Sequence, residues 1–187
     1  MRLPVWMPVT ACGLFGGATS AQCEEIVKTD VCQVVANPSA FDHKLVELTG
    51  YASEGMEEFV LSTRGCRKTK DNMTGIWLEY GGRRKSGTKY CCGATTDRRR
   101  ASDLVVEGIR TSLVDDANLE AFDALVYPVG EAKVRLVGRY FAGRRQDGPG
   151  GLGLPLWGGY GHFGMFSLLV IQRVVCVEVR KKPRLVP

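Results

Sequence analysis

The sequence predicts a mainly β protein built around a small, closed or nearly closed β-barrel. Two segments carry this prediction: residues 44–51 (KLVELTGY) and 133–140 (KVRLVGRY) both contain Val-x-Leu-x-Gly followed by a tyrosine. Alternation with a period of two residues indicates a strand with one buried face, and a glycine inside such a strand indicates a bend, a bulge or a close backbone approach. Two bent strands of this kind are typical of a barrel.

The composition fits one globular domain. The chain has 187 residues, of which 44% are hydrophobic and 24% are charged, which is ordinary for a protein with a packed core. No uncharged apolar run reaches the length of about 20 residues that a membrane-spanning helix needs. We therefore predict no transmembrane span in the mature chain.

Residues 1–21 have the pattern of a secretory signal peptide. Arg2 gives a basic start, residues 3–17 carry no charge, and residues 18–21 are small side chains that suit signal peptidase. We therefore expect a secreted or periplasmic protein whose mature domain spans residues 22–187. The alternative is lipoprotein processing, because residues 9–12 (VTAC) resemble a lipobox that would attach a lipid at Cys12.

Six cysteines remain once the signal has been removed. An even number in an exported protein favours disulfides over a metal site, although the sequence does not choose the pairing. A zinc site from Cys66, Cys91, Cys92 and His162 has suitable ligand types, but its spacing matches no common zinc pattern. We predict no metal and no cofactor. The disulfide candidates are Cys23, Cys32, Cys66, Cys91, Cys92 and Cys176.

The elements before the basic segment are predicted from caps and alternation. Asp30 is placed to cap a short helix over residues 31–36, with Gln33 reaching back to it as in a capping box. The first bent strand follows at residues 44–53. Its return strand is predicted at residues 59–62, and a strand rich in aromatic and branched side chains is predicted at residues 75–80.

The later elements include one amphipathic helix. Leu119, Phe122 and Val126 have helical spacing, and Asn118 is the predicted N-cap. The second bent strand is predicted at residues 132–141, and a last, strongly apolar strand at residues 166–179.

These elements fit a five-stranded Greek-key barrel of the OB type, with one or two short helices and long loops. The chain also resembles a group of exported bacterial proteins with an OB-like barrel. The resemblance covers most of the mature chain and implies the fold, but it implies no activity. The matching residues are 31–38, 44–50, 59–66, 76–78, 137–141 and 159–171.

A basic loop at residues 81–103 is the first candidate binding region. Residues 83–100 contain seven lysines and arginines against one aspartate, in a chain whose formal net charge is +5. Such a segment suits phosphates or other anions, and the alternative is a solvated loop without a ligand. The candidate ligand-binding cations are Arg83, Arg84, Arg98, Arg99 and Arg100.

A glycine-rich loop at residues 143–164 is the second candidate region. It contains nine glycines, and Trp157, Tyr160 and His162 lie among them as candidates to bind sugar rings or bases. The alternative is that the aromatic side chains fill one end of the barrel. Glycine content alone does not separate a mobile loop from a wide hairpin.

These features predict an exported, non-catalytic binding module for an anionic polymer or a glycan. The alternative is a structural or assembly protein of the cell envelope that contacts another protein. Export disfavours nucleic acid as the partner. We do not predict an enzyme, because the sequence offers no paired carboxylates, catalytic triad or nucleophile elbow.

Overall fold

The computed structural model describes residues 24–55, 58–66, 75–84, 99–127, 129–149 and 155–178. This part of the chain is mainly β, as predicted, and it has two α-helices and two short 3-10 helices. The strands are β1 (Val27–Lys28), β2 (Leu45–Glu54), β3 (Phe59–Ser62), β4 (Gly75–Tyr80), β5 (Val105–Val106), β6 (Ile109–Arg110), β7 (Gly130–Phe141), β8 (Arg144–Pro149), β9 (Pro155–Gly158) and β10 (Leu168–Glu178). The helices are α1 (Val31–Ala36) and α2 (Ala117–Val126), with 3-10 helices at Pro38–Phe41 and His162–Gly164.

The main sheet is mixed and has six strands. Strand β2 pairs antiparallel with β3, β3 antiparallel with β4, and β4 parallel with β10. Strand β10 then pairs antiparallel with β7, and β7 pairs antiparallel with β2, so the pairings return to the strand where they began. The short β1 runs parallel to the first half of β2.

The two glycines that mark the similar strands are sites of close backbone approach. A Cβ atom at Gly50 would lie 2.7 Å from the carbonyl oxygen of Ser62, and one at Gly138 would lie 2.4 Å from that of Val170. Neither position has room for a side chain, because neighbouring strands pack against the backbone there. Close approach is therefore the reason for glycine at both sites.

The sheet has a hydrophobic cluster on each of its faces. The inner cluster includes Ile76, Leu78 and Tyr80 of β4 together with buried side chains of α1 and α2. The outer cluster includes Trp77, which comes from the same strand but lies in the other cluster. Strand β4 is buried along its whole length because both faces are covered.

The helix starts agree only in part with the predictions. Asp30 caps α1 as predicted, since its Oδ1 accepts the backbone N–H of Gln33 at 2.9 Å. The Gln33 side chain instead accepts from the Thr29 hydroxyl at 3.0 Å. The prediction of Asn118 as the N-cap of α2 is wrong: Asp116 caps the helix, because its Oδ1 accepts the N–H groups of both Asn118 and Leu119 at 3.1 Å.

Within the described ranges, one disulfide joins two of the predicted candidates. Cys32 of α1 is bonded to Cys66, which follows β3, with their Cα atoms 5.2 Å apart. Cys176 is a partly buried free thiol on β10. The other three candidates, Cys23, Cys91 and Cys92, lie outside the described residues, as do the predicted signal peptide and Cys12.

The two predicted loops differ in what the structure describes. The glycine-rich region contains an antiparallel pair of strands, β8 and β9, followed by the 3-10 helix at His162–Gly164. Of the basic loop, only residues 81–84 and 99–103 are described. Among the helices of the described ranges, none has the length and apolar character that would let it cross a membrane.

Candidate functional site

The two ends of the basic loop lie side by side. The backbone N–H of Arg100 donates to the carbonyl oxygen of Arg83 at 2.8 Å, and we call this junction the neck of the loop. Two consecutive arginines are described on each side of the neck. On each side one arginine is exposed, Arg83 or Arg99, and the next, Arg84 or Arg100, is partly buried.

Arg100 is bonded to a carboxylate inside the protein. Its Nη2 donates to Oε1 of Glu79 at 2.6 Å, and its Nη1 donates to the carbonyl oxygen of Tyr80 at 2.8 Å. The Glu79 side chain is 0% exposed and that of Arg100 is 13% exposed. The backbone N–H of Tyr80 also donates to Glu79 Oε1, at 2.9 Å. A buried carboxylate with several donors fixes this end of the loop against β4.

Arg84 fixes the other end against helix α2. Its guanidinium forms an ion pair with Oδ2 of Asp123 and lies 5.3 Å from the centre of the Tyr80 ring, which is a cation–π distance. The Tyr80 hydroxyl donates to Asp123 Oδ1 at 2.6 Å. Burial raises the pKa of Tyr80, and the carboxylates of Glu54 and Glu79 raise it further.

Glu54, at the end of β2, is a third acidic group near this cluster. Burial raises its pKa to about 7, and the negative charge of Glu79 adds to the shift. The arginines of the neck therefore contact two carboxylates, those of Glu79 and Asp123, and compensate their charge. Glu54 lies close enough to Glu79 for their charges to interact.

The exposed arginines are held less tightly. The Arg99 side chain is 81% exposed, and its Nη2 lies 3.6 Å from Oδ2 of Asp115. Arg83 is exposed beside it across the neck. The fifth predicted cation, Arg98, lies outside the described residues. The structure thus brings four of the five predicted cations together but separates them into two exposed and two bonded to the core.

The predicted aromatic residues lie apart from this cluster. Trp157 lies in β9, and its side chain is not among those described. The backbone of Tyr160 forms an isolated antiparallel β-bridge with Phe166. The centroid of its ring is 6.4 Å from that of the Phe141 ring. His162 is partly buried at the start of a 3-10 helix.

Tyr160 contacts Glu107, which in turn contacts His43, and neither of these two residues was predicted from the sequence. Its hydroxyl donates to Glu107 Oε1 at 2.5 Å, and Glu107 Oε2 lies 2.8 Å from Nε2 of His43. Both Glu107 and His43 have positive φ values, of 48° and 59°. The sequence did contain one signal for the position of Glu107. Glu107-Gly108 lies between two short segments with β-branched residues, which is a pattern typical of a tight turn between two strands.

The missed acidic partners of the arginines are Glu79 and Asp123. A carboxylate inside the apolar segment of residues 75–80 was the available signal, because such a group needs a charged partner when the strand is buried. Asp123 gave no comparable signal, since an acidic residue in an amphipathic helix is normally solvated.

The described residues include no group of three His, Cys, Asp or Glu side chains that could hold a metal ion. Cys66, one residue of the zinc alternative, is in a disulfide and so has no thiolate to offer. Comparison with known proteins found no matching family model, no matching curated protein and no matching solved structure.

Proposed function

We propose that the protein is an exported, non-catalytic binding module for an anionic polymer, which includes acidic glycans, built on an OB-type Greek-key barrel. The strand pairings, which return from β7 to β2, support the barrel. The place of α2 in the sequence, after β4 and before β7, also supports it. OB barrels bind oligonucleotides and oligosaccharides through the face of two strands and the loops beside it. The disulfide is compatible with export.

The main support for the proposal is that two arginines of the neck are paired with carboxylates of the protein while the two others are exposed. Arg84 and Arg100 are bonded to buried or partly buried carboxylates, and they hold the neck in place. Arg83 and Arg99 stand exposed beside them. The neck holds the backbone of both exposed arginines in place, and an exposed guanidinium can donate paired hydrogen bonds to phosphate, sulfate or carboxylate groups.

The same contacts support a role in binding rather than catalysis. Glu79 accepts from Arg100 and from a backbone N–H. Asp123 forms an ion pair with Arg84 and accepts from the Tyr80 hydroxyl. A general acid or base needs a carboxylate that can exchange protons with a substrate. These two groups are instead engaged in holding the loop.

Heparin-affinity chromatography of the oxidised, signal-free protein tests the proposal. The double variant Arg83→Ser, Arg99→Ser should elute at clearly lower salt than the wild type, because two exposed cations are lost. The matched control, Lys28→Ser, Lys44→Ser, removes two exposed cations near β1 and β2 and should elute close to the wild type. Unchanged elution of the first variant, or an equal decrease in both, would reject the proposed surface.

A second candidate function, assembly with another envelope protein, has one specific observation in its favour. Tyr127 and Val129 follow α2 and are 53% and 77% exposed. Exposed apolar side chains that lie close together are typical of protein contacts. Under this alternative, one envelope protein co-purifies at high salt, and Tyr127→Ser with Val129→Ser abolishes the co-purification.

A further inference from the structure

Two segments cover the outer hydrophobic cluster of the sheet. One includes the β5–β6 hairpin and contributes Leu104 and Val106, and the other spans residues 158–167 and contributes Tyr160 and Phe166. We call them the covering segments. Beneath them lie four buried side chains of β4, β7 and β10, namely Trp77, Phe141, Leu168 and Val170.

Apolar packing alone does not fix how the covering segments sit. The hydrophobic effect is not directional, so polar contacts are needed to define a single arrangement. The backbone of the first segment bonds to Gly82 through the N–H of Leu104 and the carbonyl oxygen of Thr111, at 2.8 Å each. In the second segment, Tyr160 and Phe166 exchange backbone hydrogen bonds of 2.8 and 3.0 Å with each other.

Glu107 lies at the tip of the hairpin and joins the two covering segments. Positive φ values at Glu107 and Gly108, 48° and 81°, are those of the two-residue turn that suits the twist of paired strands. From this tip, Oε1 of Glu107 accepts the hydroxyl of Tyr160, and Oε2 contacts Nε2 of His43. One carboxylate therefore connects three segments that are distant in sequence.

His43 ties this junction to the main sheet. Its backbone N–H donates to the carbonyl oxygen of Tyr140 at 2.9 Å, and its ring centroid is 5.5 Å from that of Phe141. Among the residues described, His43 and Glu107 are the non-glycine residues with positive φ. Such conformations cost free energy, and they persist where surrounding contacts hold them.

We propose that the Glu107 carboxylate is a latch that holds the two covering segments closed over Trp77 and Phe141. Without the contacts of Glu107 to Tyr160 and His43, the covering segments separate locally while the sheet stays folded. The latch residues Glu107, Tyr160 and His43 are different from the arginines of the proposed polyanion surface, although the first covering segment bonds to Gly82, next to Arg83 of the neck. The latch is a conformational device that sets how firmly the apolar face is covered.

Amide hydrogen exchange on the full signal-free protein tests the latch. Glu107→Gly removes the carboxylate and keeps a turn that accepts positive φ, and Tyr160→Phe removes only the hydroxyl. In both variants the amides of Leu104, Thr111, Tyr160 and Phe166 should exchange faster, by about tenfold or more in Glu107→Gly, because hydrogen bonds to a charged group are lost. Amides of β2 and β7 should keep their wild-type rates.

Glu120→Gln serves as the matched control, since it neutralises an exposed glutamate on helix α2, which belongs to neither covering segment. Exchange in this control should equal the wild type at all of these amides. Wild-type rates in Glu107→Gly and Tyr160→Phe would overturn the proposal, because packing alone would then hold the segments. Equal acceleration of the covering segments and of β2 and β7 would also overturn it, because the contact would then support the whole fold.

Discussion

Arg100 donates from Nη2 to Oε1 of Glu79 at 2.6 Å, across the boundary between the basic loop and strand β4. Glu79 is fully buried, so its charge depends on this arginine and on the N–H of Tyr80. The ion pair is therefore a structural contact, although Arg100 belongs by sequence to the most cationic segment of the chain. Position in a basic run does not by itself make an arginine available to a ligand.

Breaking this pair should destabilise the protein strongly. Arg100→Met removes a cation that is bonded to a buried carboxylate, and the loss of one partner of a buried pair costs about 3 kcal/mol or more. Arg99→Met, the adjacent exposed position, should change the free energy of unfolding by less than about 0.5 kcal/mol. Urea denaturation of both variants measures this difference. Equal stability of the two variants would show that the Glu79 charge does not depend on Arg100.

The stability of the wild type should depend on pH through Glu54. Its pKa is raised from 4.5 to about 7, so the folded state favours the protonated form. The contribution of this group to stability is fully present below pH 4.5 and is lost as pH rises through about 7. The free energy of unfolding of Glu54→Gln, minus that of the wild type, should therefore increase by about 1–2 kcal/mol from pH 4.5 to pH 8. This is less than the full pKa shift would give, because solvent screens the half-buried Glu54.

Denaturation of both proteins at the two pH values isolates this effect, because other titrating groups cancel in the comparison. Glu58→Gln, an exposed change beside β3, should show no such dependence on pH. A constant difference between Glu54→Gln and wild type would mean that Glu54 titrates at its ordinary pKa.

The Cys32–Cys66 disulfide should contribute substantially to stability. It closes a loop with a sequence separation of 34 residues. The chain-entropy estimate for a loop of this size is about 4 kcal/mol, and strain or residual structure in the unfolded state lowers the measured value. Replacing both cysteines with serine should therefore lower the urea midpoint strongly. Under reducing conditions the wild type should move toward the variant, and an unchanged midpoint would contradict the assignment.

Much of the sheet could be predicted from the sequence because its signals are local. The bounds of β3 and β4 match the predictions, and the two Val-x-Leu-x-Gly strands pair directly with each other, with Gly50 opposite Val134 and Gly138 opposite Val46. The start of α2 was misplaced because Asp116 and Asn118 are both good N-caps, and propensity did not distinguish them.

The contacts of the candidate site could not be predicted, for a physical reason. The bonds of Arg84 to Asp123 and of Arg100 to Glu79 join residues that are about 20 to 40 positions apart. No local pattern links them, because the tertiary fold alone brings helix α2 and strand β4 to the neck of the loop. The same holds for Glu107, His43 and Tyr160, which come from three separate segments.

Replacing the glycine of the second bent strand should disturb the sheet. A Cβ at position 138 would lie 2.4 Å from the carbonyl oxygen of Val170. Neither strand can relieve this steric clash without losing part of the pairing between β7 and β10. Gly138→Ala should therefore lower the free energy of unfolding by about 2 kcal/mol or more. Gly65→Ser is a useful contrast, since a Cβ there meets nothing within 4 Å and the cost comes only from its positive φ of 95°. Wild-type stability of Gly138→Ala would show that the strands are not in close contact at this point.

We propose that exposed Arg83 and Arg99 bind anions while Arg84 and Arg100 support the loop. The most direct measurement is the affinity for a fluorescent heparin oligosaccharide as a function of salt concentration. We predict that Arg83→Ser, Arg99→Ser weakens binding and makes the dependence of log affinity on log salt less steep, by about 1 to 2 in slope, with unfolding unchanged. A slope equal to that of the wild type in this variant would show that Arg83 and Arg99 do not bind the anion.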